Sequence, residues 1–205
     1  MSLQTHVGAS ATPQPIPMAS RPAPPLDWQM IAVGRATPLW QRALAVVGLV
    51  LLSPVILIIG LLTKSTSVGT ILYRGQRVGR GGKNFTIFKF RTLEVGAEQK
   101  IGARLLEHGD GLYTPIGRYL KRGKLDEIPQ LFNVVRGEMN LVGPRPVRPV
   151  FLETFCREIP GYMRRFAVNP GMTGLAQVRG GYFTHPRDKL RYDRIYAANR
   201  SWWLD

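Results

Sequence analysis

From Ala43 to Leu62 the chain runs for twenty residues without a charge, almost wholly apolar, with Ser53-Pro54 near the midpoint. At 1.5 Å per residue a straight helix of that length measures about 30 Å, the thickness of a hydrocarbon core. Length alone predicts a spanning helix. Pro54 argues against a straight one: it lacks the N–H that would bond the carbonyl of Val50, and its ring crowds that carbonyl. The pattern predicts either a kinked span or a re-entrant helix that breaks at Ser53-Pro54 and returns to the side it entered. The flanks bear on the choice, because a spanning helix carries more Lys and Arg on its cytoplasmic side. Here both flanks are basic, with Arg35 and Arg42 before the run and Lys64, Arg74, Arg77, Arg80 and Lys83 after it. If both face the cytoplasm, the segment dips in and comes back. A cleaved signal peptide fits poorly, since the run is long, starts far into the chain and has no small-residue cleavage site after Leu62.

After the apolar run the period changes. Short β-prone stretches at residues 71–73 and 85–91 flank a Gly79-Arg80-Gly81-Gly82-Lys83 turn and predict a β-hairpin. Helices are predicted over residues 96–108 and 114–122, and a third where Ile128, Leu131, Phe132 and Val135 recur at helical spacing before Gly137. Pro129 is tolerated only in the first turn of that helix, which places Asp126 and Glu127 at its N-terminus. Residues 147–167 form a further amphipathic candidate, with Phe151, Phe155 and Ile159 on one side. It suits either a core-packing helix or one lying in a membrane interface. The fold class expected is α+β: a membrane helix hairpin, kinked or re-entrant at Ser53-Pro54, plus a compact domain of short helices, interfacial amphipathic helices and a small β-hairpin. Three segments follow. Residues 1–27, rich in Pro, Ala, Ser and Thr, read as a disordered tail. Residues 28–66 hold an interfacial lead-in with Trp28 and Trp40, then the membrane helix. Residues 67–205 form the catalytic or binding domain.

Composition narrows the partners. A formal charge of +15 over 205 residues suits polyanions, and beside a membrane segment anionic lipid and phosphorylated substrates outrank nucleic acid. Basic residues interleave with aromatics over only one short strand, too little for a nucleic-acid surface. Cys156, the single cysteine, excludes an internal disulfide and a multi-cysteine zinc site. His6, His108 and His185 are scattered, so magnesium, which needs few carboxylates and shares substrate phosphates, is the better metal candidate.

Asp126-Glu127 is the most suggestive chemical pair. Such pairs are commonly acidic helix caps, but an ionised, accessible Asp at a helix N-terminus is also a nucleophile toward phosphorus. Arg145 sits between Pro144 and Pro146, which restrict its backbone and mount its guanidinium on a stiff loop. That suits two-pronged binding of phosphate. Lys89 and Arg91 alternate with Phe88 and Phe90, placing both cations on one strand face where they could grip a diphosphate. The Gly79–Gly82 turn has no Walker spacing and lies in no strand-to-helix context, so it carries no phosphate role.

These elements stand in a recognisable order. The Ser53-Pro54 apolar segment, Lys-Phe-Arg-Thr at 89–92, Leu-Asp-Glu-Ile-Pro-Gln-Leu-Phe-Asn-Val at 125–134, Leu-Val-Gly-Pro-Arg-Pro at 141–146 and Asn-Pro-Gly-Met-Thr-Gly-Leu-Ala-Gln-Val-Arg-Gly at 169–180 together resemble the small monotopic phosphoglycosyl transferases. These are bacterial sugar transferases that begin glycan assembly on polyprenyl phosphate. The match covers about residues 38–205. The resemblance implies transfer of a sugar 1-phosphate from a UDP-sugar to polyprenyl (undecaprenyl) phosphate, with UMP released, as the first membrane step of exopolysaccharide, O-antigen, capsule or glycoprotein glycan synthesis. It implies that Asp126 forms a covalent phosphosugar intermediate, that Glu127 is its partner carboxylate and that Mg²⁺ is held by Asp126 and Glu127. It assigns Lys89, Arg91, Lys121 and Arg145 to the charged substrate, and both ends of the membrane segment to the cytoplasmic face of the bacterial inner membrane. Lys121 stands where the family often has arginine, Lys124 replaces the usual serine or threonine, and Gly137-Glu138-Met139-Asn140 replaces Gly-Asp-Met-Ser. A non-catalytic basic membrane adaptor of the glycan-assembly machinery is the competing reading. The sugar, the polyprenol length and the oligomeric state, a homo-oligomer included, are left open by the residues.

Overall fold

The computed structural model describes residues 36–101, 111–179 and 185–201, together with 27, 28, 31, 33 and 34. The Pro-rich tail up to residue 26, Arg35, the second half of the helix predicted over 96–108 and the last four residues lie outside the described residues.

The apolar run forms two helices, α1 (Leu39–Leu51) and α2 (Ser53–Thr66), whose axes differ by 61° across Leu52. No single helix among the described residues is long and apolar enough to cross a membrane, whereas the bent pair together reaches that length and composition. The break follows from covalent structure. Pro54 has no N–H for the carbonyl of Val50, and the Ser53 hydroxyl donates to that carbonyl instead, at 2.7 Å. The serine therefore supplies the hydrogen bond that the proline withholds, a substitution worth most where no water is available. One side of the pair, Gln41, Ala45, Ile59, Gly60 and Thr63, is packed against the rest of the chain, while Leu44, Val47, Val50, Leu51, Leu57, Ile58 and Leu61 are exposed. An apolar surface of that extent calls for a covering medium.

The predicted hairpin is present. Strands β1 (Leu72–Val78) and β2 (Asn84–Phe90) pair antiparallel, with Leu72 opposite Phe90 and Val78 opposite Asn84. Gly81 and Gly82, at φ 61° and 77°, supply the left-handed turn residues. There follow α3 (Ala97–Ile101), α4 (Gly117–Arg122), a 3₁₀ turn (Leu125–Glu127) and α5 (Gln130–Val135). Next come β3 (Asn140–Val142), α6 (Pro149–Glu158), a second 3₁₀ turn (Tyr162–Ala167), β4 (Gly171–Thr173), α7 (Leu175–Arg179) and α8 (Pro186–Asn199). Short helices mixed with small sheets give the expected α+β class.

Helix α1 is part of the domain's own core. Ala45 is buried with Phe85 and Ile87 of β2, Val134 of α5 and Met139. The fully buried Gln41 accepts a hydrogen bond from the Leu141 amide at 2.8 Å, and Thr37 donates to the Met139 carbonyl at 2.9 Å. The bent helix is thus fixed to the domain by polar ties as well as apolar contact.

The helix predicted over 147–167 is divided. Helix α6 ends at Glu158, Pro160 cannot continue it, and Gly161 turns the chain at φ 76° into the second 3₁₀ turn. Leu152 and Ile159 are buried with Val78, Tyr162, Phe166 and Leu190, so this segment packs a core. Strands β3 and β4, three residues each, run parallel and were not expected. Their closeness explains the glycines of two motifs: a Cβ on Gly171 or Gly174 would run into the backbone of Gly143.

Candidate functional site

The sequence places Asp126 and Glu127 at the start of α5. The structure sets them one turn earlier, in the 3₁₀ turn, because Pro129 caps α5 and Lys124 bends the chain through φ 55°. Lys124 is the non-glycine residue with left-handed backbone among those described. The turn lies against β2, which aims Lys89 at Glu127.

Glu127 gathers two cations on one oxygen. Its Oε1 accepts from Lys89 Nζ at 2.7 Å and from Arg145 Nη2 at 2.9 Å. Burial alone would raise this carboxyl, but Arg145 and Lys89 outweigh it and bring its pKa down to about 2. Lys89 moves the other way: desolvation dominates, and its pKa falls to about 8 although Glu127 pulls it upward. Asp126 is 3% exposed. Its Oδ2 lies 3.8 Å from Lys121 Nζ, and its Oδ1 is buried with no hydrogen-bond donor among the described residues. Burial raises its pKa above the ordinary Asp value, with Lys121 and Lys89 opposing and Glu127 reinforcing the rise. The expected accessible carboxylate is therefore a buried one. Two adjacent carboxyls are pushed apart in acidity because one is paired and the other is desolvated, the pattern by which one site separates two chemical roles.

Arg145 owes its position to backbone clamps. The Gly171 amide donates to the Pro144 carbonyl at 2.9 Å, and the Gly143 amide donates to the Thr173 carbonyl at 2.8 Å. From behind, Arg165 Nη2 donates to the Arg145 carbonyl at 2.9 Å. The Asn-Pro-Gly-Met-Thr-Gly motif thus serves the Pro-Arg-Pro loop without touching the carboxylates.

Arg91 does not join the cluster. Strand β2 ends at Phe90, so the alternation that would align Arg91 with Lys89 stops one residue short. Its guanidinium donates to the Thr70 carbonyl at 2.7 Å and to the carbonyl and hydroxyl of Ser67, holding the chain that leaves α2. Of the predicted residues, Lys89, Lys121, Asp126, Glu127 and Arg145 come together, while Ser53 and Pro54 open α2 directly after the break at Leu52. Sequence reasoning missed Arg165 and Asp193, a buried ion pair at 2.9 Å, and Tyr162, whose hydroxyl accepts from Arg165. No spacing links these positions, so no sequence signal was available. Lys189 stands close enough to Arg145, Arg165 and Asp193 for its pKa to be lowered, chiefly by burial and then by the two arginines.

Among the described residues no group of three or more His, Cys, Asp or Glu could hold a metal ion. A magnesium ion does not need one, since it keeps waters and takes one or two carboxylates with substrate phosphates. Asp126 fits that use: its orphaned, buried Oδ1 is an acceptor with nothing to accept.

The bacterial sugar transferase family matches residues 35–205. The chain is 42% identical over 164 residues to the UDP-N-acetylgalactosamine-undecaprenyl-phosphate N-acetylgalactosaminephosphotransferase of Aeromonas hydrophila, covering 78% of this chain and 38% of that protein. It is 37% identical over 175 residues to the UDP-glucose:undecaprenyl-phosphate glucose-1-phosphate transferase of Xanthomonas campestris pv. campestris, covering 83% and 36%. It is 42% identical over 179 residues to a transferase of the same name from Caulobacter vibrioides, covering 83% and 67%. The chain therefore spans little more than a third of the length of the first two relatives.

Proposed function

Because the chain belongs to the bacterial sugar transferase family, we propose that it moves a sugar 1-phosphate from a UDP-sugar to undecaprenyl phosphate and releases UMP. The observation that carries this reading is the carboxyl pair itself: Asp126, 3.8 Å from Lys121 and with no donor on Oδ1 among the described residues, beside a Glu127 that holds two cations. A capping carboxylate would accept from a backbone amide of its turn, and Asp126 Oδ1 accepts from none among the described residues. The relatives' names agree on UDP-linked sugars and undecaprenyl phosphate but differ between N-acetylgalactosamine and glucose, so the sugar is open.

The reaction divides into two displacements. A carboxylate oxygen of Asp126 bonds to the β-phosphorus of the UDP-sugar while the bond from that phosphorus to the bridging oxygen breaks, and UMP leaves with the electron pair. An oxygen of the lipid phosphate then attacks the same phosphorus and the carboxylate departs, leaving a lipid diphosphosugar. A diphosphate repels a carboxylate, so fixed cations must neutralise it first. Lys89 and Arg145, which both donate to Glu127 Oε1, supply that charge. Lys121, a third exposed and 3.8 Å from Asp126, is placed to offer the substrate a further cation. Magnesium, held by Asp126 and Glu127, would add Lewis-acid neutralisation of the phosphate oxygens.

The test supplies a UDP-sugar labelled in the β-phosphate. With undecaprenyl phosphate present, UMP is released and label enters lipid; without it, label stays on the protein after rapid quench. An adaptor yields neither. Label in lipid without a protein adduct would replace the two-step route by a direct one.

The pH dependence follows from the two shifted groups. Asp126 must be ionised, and burial raises its pKa, so the acid limb of kcat/KM lies above the ordinary carboxylate range. Lys89 must be charged, so activity falls on the alkaline side near pH 8. Glu127 holds Lys89 up, and in Glu127→Gln that limb moves below 8. Profiles of both proteins check this; an alkaline limb unmoved by the substitution assigns it elsewhere.

For the membrane we propose that the Ser53-Pro54 break returns the chain to the cytoplasmic face. The exposed apolar surface of α1 and α2, the bend of 61° and the basic flanks support it. A reporter at either end of the bent pair should read cytoplasmic. An N-terminal reporter found outside restores a kinked span.

A further inference from the structure

A cavity of about 570 Å³ lies between the bent helix and the β-hairpin. It opens on the face of β2 that carries Phe88, and the next residue, Lys89, points to the catalytic face. Leu49 and Ile56, one on each side of the helix break, form an apolar wall that continues onto the exposed Val50 and Leu57. Against that wall stands a row of four side chains. The Arg74 guanidinium sits 6.0 Å from the Phe88 ring, Phe88 meets Phe132 edge to face at 5.6 Å, and Arg136 lies 5.8 Å over Phe132. Arg136 is paired with Glu138 at 3.0 Å. Arg74 is exposed and has no acidic partner among the described residues.

We infer that this cavity seats an anionic phospholipid of the surrounding bilayer, its phosphate on Arg74 and its acyl chain along Leu49, Ile56 and Phe88. Charge complementarity and continuity with the apolar helix surface select an amphiphile with one charged end. The acceptor lipid is the less suitable occupant, because Arg74 pairs with Phe88 across the hairpin, on the face that alternates with the one carrying Lys89. A seated phospholipid would brace the bent helix against the domain at the break, where Gly48 is already close to Leu131 of α5. The inference rests on the membrane seat proposed for the bent pair, and the test separates the two.

The full chain is purified in a neutral detergent, and its apparent melting temperature is read with added phosphatidylglycerol, phosphatidylcholine or undecaprenyl phosphate. Phosphatidylglycerol should raise it by about 5 °C and phosphatidylcholine by much less. Arg74→Gln, and separately Leu49→Trp, which fills the cavity, should each abolish the difference. Arg118→Gln, which removes an exposed charge elsewhere, should preserve it. A shift that survives both cavity variants reflects surface charge and overturns the site. Undecaprenyl phosphate displacing phosphatidylglycerol in an Arg74-dependent manner overturns it in favour of the acceptor. Flotation with neutral vesicles tests the membrane seat by itself: a chain that floats but shows no phosphatidylglycerol shift loses only the cavity proposal.

Discussion

Replacing Asp126 by asparagine should abolish sugar-phosphate transfer, by about 10³-fold or more, and leave the protein at least as stable as before. The first half follows from the nucleophilic role proposed for Asp126, since an amide oxygen cannot form and release an acyl phosphate. The second half follows from the burial. Asp126 is 3% exposed, its Oδ1 has no donor among the described residues, and its folded pKa is raised above the unfolded value. A raised carboxyl pKa means that the fold binds the proton more tightly than the unfolded chain does. Ionisation therefore costs stability at all pH above the folded pKa, and the cost vanishes below the unfolded one. Asparagine avoids it at nearly the same volume. The apparent melting temperature of Asp126→Asn should exceed that of the parent at pH 8, and the difference should shrink as pH falls through the acid range. Near-parental turnover would remove Asp126 as nucleophile. A destabilised variant would show that Lys121 at 3.8 Å, rather than the absent donor, governs the site.

Glu127 has the opposite sign, and the contrast separates the two carboxyls. Its folded pKa of about 2 lies below the unfolded value of 4.5, so its stabilising contribution is present above 4.5 and is lost as pH falls toward 2. Glu127 holds Lys89 and Arg145 and gains from ionising; in the proposed reaction its neighbour must ionise at a cost to the fold. Such local conflict is expected where a fold carries chemistry.

The parts legible in the sequence are those set by covalent structure or by short-range period. Pro54 lacks an N–H wherever it stands, so the break could be read directly, and even the carbonyl concerned, Val50, follows from counting four residues back. The β-hairpin was visible because its glycines and its alternation agree. The same alternation misplaced Arg91 because the strand stops at Phe90, a boundary set by where pairing with Leu72 ends. The burial of Asp126 was not legible, since it depends on what packs over the 3₁₀ turn. Strands β3 and β4 are too short to show a period, and only the glycines at 143, 171 and 174 hinted at close backbones. The support of Arg145 by Arg165 joins parts of the chain that no local pattern connects.

That support gives the largest expected effect on stability. Arg165, 7% exposed, donates to the Tyr162 hydroxyl and to the Arg145 carbonyl and faces Asp193 at 2.9 Å, itself 3% exposed. Removing one member of a buried ion pair leaves the other charge uncompensated in a poorly solvated place, at a cost of about 3–5 kcal/mol. Asp193→Ala should therefore lower the apparent melting temperature by about 10 °C. The effect should reach the catalytic cluster, because the guanidinium that loses its counter-charge is the one that holds the Arg145 carbonyl. KM for the UDP-sugar should rise more than kcat falls. A second variant separates the two consequences. In Arg165→Met with Asp193→Leu, neither buried charge remains and apolar side chains of similar volume take their place, so most of the lost stability should return. The Arg145 carbonyl still lacks its donor there, and the raised KM should persist. If the double variant recovers both stability and KM, the backbone clamps from Gly171 and Thr173 suffice to position Arg145. Arg165 would then serve the fold alone.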